Sequence, residues 1–262
     1  MDNLVDSFVP KEFMGEIIAI VNQKGGTGKT TTSVNLSSAL ARQGKDVVVI
    51  DFDPQANLTY AFGIEENEGT IADVLREQNS LSDVLLEREG ARVAPGDIAL
   101  ADVEVSLINE IGREFFLSEA IKGLKGYDYL IIDCPPSLSL LAINALVAAD
   151  YSIVPMQMEV MSLQGLNQIR NTIERINRSY KLDIYIKGIL AVMVDRRRNL
   201  DSEIEDFIQN NYEIPLFSSK IRTNVRASEA PSFGQSVISY APRSNSAIDY
   251  MEFARELMNN EP

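Results

Sequence analysis

Five short runs of the chain are almost wholly apolar and rich in β-branched residues: 17–22, Val47–Asp51, Tyr129–Asp133, Tyr151–Met156 and 189–194. None alternates apolar with polar positions as a half-solvated strand does, so each predicts a strand covered on both faces, the mark of a parallel sheet. Between these runs the apolar spacing lengthens to the helical period. It predicts helices near 30–42, 116–124, 138–148 and 164–179, and later ones near 200–210 and 246–258. After Asn199, the residues Leu200, Ile204, Phe207 and Ile208 fall on one helical face, and in the last helix Tyr250, Met251, Ala254 and Leu257 do so. Strands alternating with helices predict an α/β fold, a doubly wound and mostly parallel sheet flanked by helices. No internal repeat or long linker divides the chain. Residues 15–262 are therefore expected to form one domain behind a short extension, 1–14, too small to be a DNA-reading module of its own.

Composition narrows the chemistry. The 262 residues are 45% apolar and 24% charged, ordinary for a globular chain with a sizeable core. A single cysteine, Cys134, rules out disulfides within the chain and multi-cysteine metal or iron–sulfur sites. There is no histidine, so catalysis must draw on carboxylates, lysines, hydroxyls, backbone or a bound cation. No apolar run approaches the roughly 18 residues of a membrane span. The opening MDNLVDSFVPKEF is acidic and lacks the basic-then-apolar layout of a signal peptide, so a reducing cytoplasm is expected. The net charge of −14 is unevenly spread. Residues 60–119 hold 4 Lys/Arg against 14 Asp/Glu, a local −10, whereas residues 165–226 hold 11 against 8, a local +3. A local basic surface on an acidic chain is compatible with those numbers.

Residues 22–31 read NQKGGTGKTT. The first predicted strand runs into this glycine-rich turn, and Lys29 opens a helix, so backbone N–H groups and the helix N-terminus converge on anionic oxygens. Gly25, Gly26 and Gly28 permit close backbone approach, Lys29 is placed to reach β- and γ-phosphates, and the Thr30 hydroxyl to ligate Mg²⁺. A second lysine, Lys24, sits at the mouth of the loop, where it can point away from the loop's own phosphates. Two acidic strand ends complete the picture. In DFDPQAN, Asp51 and Asp53 leave a strand beside the loop; in the second, Asp133 ends a strand followed by CPPS. Carboxylates there can orient water and reach Mg²⁺ through its hydration shell. Alone, either would be a helix cap or a solvated turn; with the loop they form a site. Cys134 reads as a small buried neighbour rather than a nucleophile.

The arrangement KGGTGKTT resembles the deviant Walker A motif of the ParA/MinD group of P-loop ATPases, and the resemblance covers about residues 15–258. It implies an Mg²⁺-dependent ATPase whose nucleotide site is formed by Lys24, Gly25, Gly26, Thr27, Gly28, Lys29, Thr30 and Thr31. Thr30, Asp51 and Asp133 would serve the metal, and Asp53 would position the attacking water. Lys24, Lys29 and Asp53 would be the catalytic residues, with Lys24 reaching the partner's phosphates across an ATP-dependent homodimer, in the manner of an arginine finger. MinD relatives end in a basic amphipathic helix that binds membrane, while this chain ends in the acidic NSAIDYMEFARELMNNEP, so no membrane partner is expected. The alternatives within the resemblance are a MinD-like positioning ATPase and a metabolic P-loop enzyme acting on a small carboxylate substrate.

Two downstream stretches, VMVDRRRNL and IRTNVRASEAPSFGQSV, resemble the short chromosomal ParA proteins often called Soj. By that resemblance Arg197 and Arg226 bind double-stranded DNA without reading sequence, in the ATP dimer alone, with Arg196 and Arg198 alongside. Physically, Arg196–Arg198 precede a helix capped by Asn199, where guanidinium groups and a helix N-terminus can jointly hold phosphate; Asp201, Glu203 and Glu205 weaken that local field. Arg222 stands where the resembled family has proline, so Arg222 and Asn224 fall near the expected adenine. The implied partners are a second copy of the chain, non-specific duplex and a ParB-like or cargo-adaptor activator. The implied place is the cytoplasm, on the nucleoid.

Overall fold

A computed structural model describes residues 15–65, 68–195 and 199–259, with the backbone alone described for 199–202. The extension 1–14 and Arg196–Arg198 lie outside the described residues, and so does the side chain of Leu200.

The strands are β1 (Glu16–Ile20), β2 (Val47–Asp51), β3 (Leu86–Arg88), β4 (Ala91–Ala94), β5 (Tyr129–Asp133), β6 (Tyr151–Met156), β7 (Tyr185–Val194) and β8 (Leu216–Arg222). They form one sheet in the order β3-β4-β2-β5-β1-β6-β7-β8. The pairs are parallel except β3 with β4. The continuous apolar runs have the reason anticipated for them: successive residues feed opposite cores. Ile17 and Ala19 enter one buried cluster, Ile18 and Ile20 the other; Leu130 and Ile132 alternate with Tyr129 and Ile131 in the same way.

Helices cover both faces. The long ones are α1 (Lys29–Arg42), α4 (Ala99–Leu107), α6 (Leu140–Ala148), α7 (Val160–Tyr180), α8 (Asn199–Asn211) and α11 (Asn245–Asn259). The shorter ones are α2 (Asn57–Ala61), α3 (Ile71–Leu75), α5 (Phe116–Lys122), α9 (Val225–Glu229) and α10 (Val237–Tyr240). One face is closed by α1 and α11, which bring Leu36, Leu40, Tyr250, Phe253 and Leu257 against the sheet. The other is closed mainly by α4 to α8, through Leu100, Leu117, Leu141, Leu166 and Ile208.

The strands β3, β4 and β8 and the helices α2, α3, α4, α9 and α10 were not legible in the pattern. β8, LFSSKIR, lies at an edge and buries only Phe217 and Ile221, so it lacks the apolar run of a central strand. In α8, Ile204 and Ile208 face the core as expected, but Phe207 is 45% exposed and packs edge-on against Tyr212. It stands about 100° around the helix from Ile208, beyond the buried stripe. In α11 the expected face is inward: Tyr250, Ala254 and Leu257 are buried and Met251 packs against the same cluster.

Strand order places the chemistry. β1 lies between β5 and β6, where the order of connection reverses, so the loop leaving its carboxyl end faces the crevice in which open α/β sheets hold ligands.

Candidate nucleotide-binding site

Register brings the acidic residues to that crevice. Ile20 of β1 pairs with Asp133 of β5, and Asp133 pairs with Asp51 of β2, so the three strands end in one row. The chain then leaves β1 through the glycine-rich loop and enters α1 at Lys29. Gly28 caps α1 at φ +78°, a left-handed conformation that a side chain resists and that turns the first amides of the helix into the crevice. A Cβ built on Gly25 or Gly26 meets no atom within 4 Å, so both face open space where a ligand's oxygens can approach the backbone.

The loop borders a cavity of about 490 Å³. Gly25, Gly26, Thr27, Gly28, Lys29, Thr30, Thr31 and Asp53 all line it. Lys29 is 6% exposed, its ammonium donating weakly to the Lys24 carbonyl at 3.4 Å across the loop. Burial lowers its pKa, while Asp133 and Asp53 nearby hold the charge on. The Thr30 hydroxyl donates to Asp133 Oδ2 at 2.7 Å, and Ser33, one turn on, donates to Oδ1 at 2.8 Å. Asp133 therefore reaches the cavity through Thr30. It is fully buried, and desolvation together with the neighbouring Asp51 raises its pKa to about 7.

Asp51 stands one layer back. Its Oδ2 accepts from the amide and hydroxyl of Thr59 at 2.8 and 2.6 Å, and the Gly96 amide donates to that hydroxyl at 2.9 Å. Gly96 is obligatory here, because a Cβ would lie 2.6 Å from the Asp51 carbonyl oxygen. Burial raises the Asp51 pKa to about 6 despite those bonds. Asp53, by contrast, faces the cavity, its Oδ1 accepting only the local Gln55 amide at 3.0 Å among the described hydrogen bonds. Cys134 is buried and its thiol pKa is pushed well up by desolvation, which makes it a packing residue.

Lys24 does not line the cavity. Its ammonium turns outward to Glu159 Oε2 at 3.0 Å, with the side chain 46% exposed. Arg222 and Asn224 depart from expectation. The Arg222 guanidinium is committed to Asp249 of α11 through Nε at 3.0 Å and through Nη2, and its backbone amide donates to the same carboxylate. Asn224 caps α9, accepting from the Arg226 amide at 2.8 Å. Neither borders the nucleotide cavity; Asn224 and Arg226 border a different one. Arg196, Arg197 and Arg198 lie outside the described residues.

The remaining wall was missed by sequence reasoning. Gln55, Asn57 and Tyr60 come from the segment after β2, and Ala227, Ala230, Pro231, Gln235 and Val237 from the α9–α10 segment. They meet because Asn35 of α1 accepts from the Val237 amide at 2.8 Å while donating to the Thr31 carbonyl at 2.7 Å. This half sets small apolar residues beside the Tyr60 ring and the side-chain amides of Gln55, Asn57 and Gln235, which suits a flat heteroaromatic group with its own hydrogen-bonding edge, while the loop half is cationic and amide-rich, suited to phosphates. Nothing in the local sequence of 227–237 announces a pocket wall.

A family model described as an AAA domain matches residues 15–186. The chain is 43% identical over 252 residues to the sporulation initiation inhibitor protein Soj of Bacillus subtilis, covering 94% of this chain and 100% of that protein. It is 39% identical to the chromosome partitioning protein ParA of Myxococcus xanthus, covering 95% and 89%. Among solved structures it resembles cobyrinic acid a,c-diamide synthase from Mycobacterium smegmatis with bound ATP analog and magnesium, with a TM-score of 0.83 and 32% identity over 94% of this chain and 95% of that one.

Proposed function

This chain belongs to the ParA/Soj family of P-loop ATPases, and from that premise we propose that it is an ATP-driven dimerising switch that holds DNA in its ATP state. The observation carrying this reading is the divergence of its two loop lysines. Lys29 is buried and lines the cavity, whereas Lys24 is half-exposed, outside the cavity and paired with Glu159 on the surface. A cation at that mouth, held by one half-exposed ion pair, is placed to serve phosphates bound by a second copy.

The donor set fits the ligands. Loop amides and Lys29 take the β- and γ-phosphates, and the mixed wall of Tyr60, Ala230, Pro231 and Gln235 takes the base. Thr30, with Asp133 behind it, would hold Mg²⁺, which when bound neutralises charge developing between the β- and γ-phosphates. Asp51, tied to Thr59, supports that row from behind. Asp53 orients a water towards the γ-phosphorus; the new P–O bond forms as the bond to the β-phosphate oxygen breaks, and the water's proton ends on the released phosphate. The Lys24 ammonium exchanges Glu159 for the partner's phosphates, closing a two-fold pair.

Closure doubles the set of arginines facing DNA. Arg226, 57% exposed, and Arg197 supply sequence-independent phosphate contacts, with Arg196 and Arg198 beside Arg197. Few contacts per copy are weak and the doubled set is useful through avidity. Hydrolysis opens the pair and releases the duplex. An activating partner of the ParB or cargo-adaptor kind speeds a slow basal turnover, and cycling on the nucleoid, in the cytoplasm, partitions or positions a cargo. Among the described residues no helix is long and apolar enough to cross a membrane.

Lys24→Ala tests the reading. It should bind ATP like wild type yet stay monomeric by light scattering with ATP and Mg²⁺, and it should lose retention of a random duplex. Full dimerisation of the variant refutes the role in trans. A second reading rests on the likeness to a structure named as a diamide synthase: an enzyme that uses ATP on a small carboxylate substrate. That enzyme's turnover would depend on an added acceptor, and it would retain no duplex.

A further inference from the structure

Two short helical turns build the wall that faces the base; each is ended by a glycine, and the two glycines touch. Gly63 follows α2 at φ +63°, and Gly234 follows the turn Ala230–Phe233 at φ +64°. The same pair of bonds closes both ends. After α2, the Gly63 amide donates to the Tyr60 carbonyl at 2.9 Å and the Ile64 amide to the Thr59 carbonyl at 3.2 Å. After the second turn, the Gly234 amide donates to the Pro231 carbonyl at 3.0 Å and the Gln235 amide to the Ala230 carbonyl at 3.3 Å. Each is the left-handed glycine stop that satisfies the last carbonyls of a helix. Three of the four acceptors, Tyr60, Ala230 and Pro231, line the nucleotide cavity, so the stops hold the backbone of the base-facing residues themselves.

The two stops meet with no side chain between them. A Cβ built on Gly234 would lie 2.7 Å from the Gly63 Cα, and one built on Gly63 would lie 3.1 Å from the Gly234 Cα. Glycine alone permits that approach while favouring the left-handed backbone. Both partners are main chain, which cannot swing aside as a side-chain tip can, so the contact fixes how far α2 stands from the 230–237 segment. Tyr60 is 61% exposed although it lines the cavity and its carbonyl is held. An aromatic ring kept largely in water at the rim of a slot of fixed width offers apolar surface for a second flat ring to cover.

We propose that the Gly63–Gly234 contact sets the width of the base slot and thereby the affinity for the base half of the nucleotide. Neither glycine lines the cavity, so both are positioning residues that act through Tyr60, Ala230, Pro231 and Gln235. The inference rests on the reading that this cavity binds ATP and deepens it: the loop holds the phosphates, and the glycine contact decides how tightly the base is held.

The test is calorimetric titration of the full chain with Mg·ADP and with Mg·pyrophosphate, a pair that differs by the nucleoside. The proteins are wild type, Gly234→Ala, Gly63→Ala and Gly44→Ala. Gly44 follows α1 at φ +81°, and a Cβ there meets nothing within 4 Å, so Gly44→Ala carries the left-handed strain without the intrusion. Wild type should bind ADP more tightly than pyrophosphate. Gly234→Ala should weaken ADP by roughly 10- to 100-fold, the scale on which an apolar pocket registers one methylene, and leave pyrophosphate unchanged. Gly63→Ala, the milder intrusion, should lower the same ratio by less, and it carries the test if Gly234→Ala does not fold. Gly44→Ala should keep the wild-type ratio even where its melting temperature drops. A wild-type ratio in either folded variant, whether both ligands hold or both weaken, overturns the inference, and so does an equal loss in Gly44→Ala; the ATP reading survives each of these results. Wild type that binds ADP no more tightly than pyrophosphate overturns the base-site reading, and this inference with it.

Discussion

The nucleotide cavity and the arginine edge formed by β8, α9 and α11 handle charge in opposite ways. Lys29 and Asp53 in the cavity, and Asp133 behind Thr30, are each 6% exposed or less, and Asp133 takes its partners from α1, an element distant in sequence. At the edge, Arg226 is 57% exposed and its ion pair is with Glu229, one helical turn away. Charges withdrawn from water interact strongly and must be positioned by the whole fold, or desolvation expels them. Charges left in water cost nothing to hold and act weakly, so they become useful by number and by pairing two copies. The buried set suits chemistry on one phosphate, and the exposed set suits a long polyanion read without sequence.

Substitutions in the two regions should therefore differ in kind. Asp53→Ala is expected to lower phosphate release by about 10² to 10⁴ while ATP-bound dimers persist, because water orientation is lost and the binding groups remain. Wild-type-like release would remove Asp53 from the mechanism. Lys29→Gln should weaken nucleotide binding by roughly 10- to 100-fold, the worth of a charge-assisted bond to phosphate, measurable by titration with a fluorescent ATP analogue. An unchanged affinity would mean that loop amides alone hold the nucleotide.

At the edge the expected effect is graded. Arg226→Ala or Arg197→Ala should weaken every duplex alike and flatten the salt slope by about 1.8, two contacts per dimer, without abolishing ATP-driven dimerisation. A sequence-selective loss would show base readout instead and blur the contrast between the regions.

The smallest effect concerns the acidic row. Asp51 and Asp133 have pKa values raised from 3.8 to about 6 and about 7. The folded, ligand-free protein thus keeps protons that the unfolded chain releases, and the stability so contributed is present at low pH and lost as pH rises from 3.8 towards about 7. Melting of ligand-free wild type against Asp133→Asn between pH 5 and pH 8 isolates that contribution. The wild type should lose ground to the variant as pH rises, and a constant difference would mean that Asp133 is ionised throughout.

Much of the first region was readable in the chain. The runs Val47–Asp51, Tyr129–Asp133 and Tyr151–Met156 are the strands β2, β5 and β6 residue for residue, because a central parallel strand buried on both faces has few other sequences open to it. The loop was readable because phosphate binding demands glycine, lysine and a hydroxyl at fixed spacing. The second region was less so. Arg226 could be named from its motif, yet Arg222, expected beside the adenine, is instead turned to Asp249 of α11.

What the amino-acid order determined by itself is whatever depends on neighbours in the chain: the central strands, the phosphate loop, and the acidic residues that end β2 and β5. The base-facing wall, the bond of Thr59 to Asp51 and the outward turn of Lys24 to Glu159 were decided by tertiary structure. Glu159 lies 135 residues from Lys24, and Asn35 meets Val237 across 202. Such contacts form when the sheet's strand order brings separate connections to one crevice, and no local periodicity records which segments will share it.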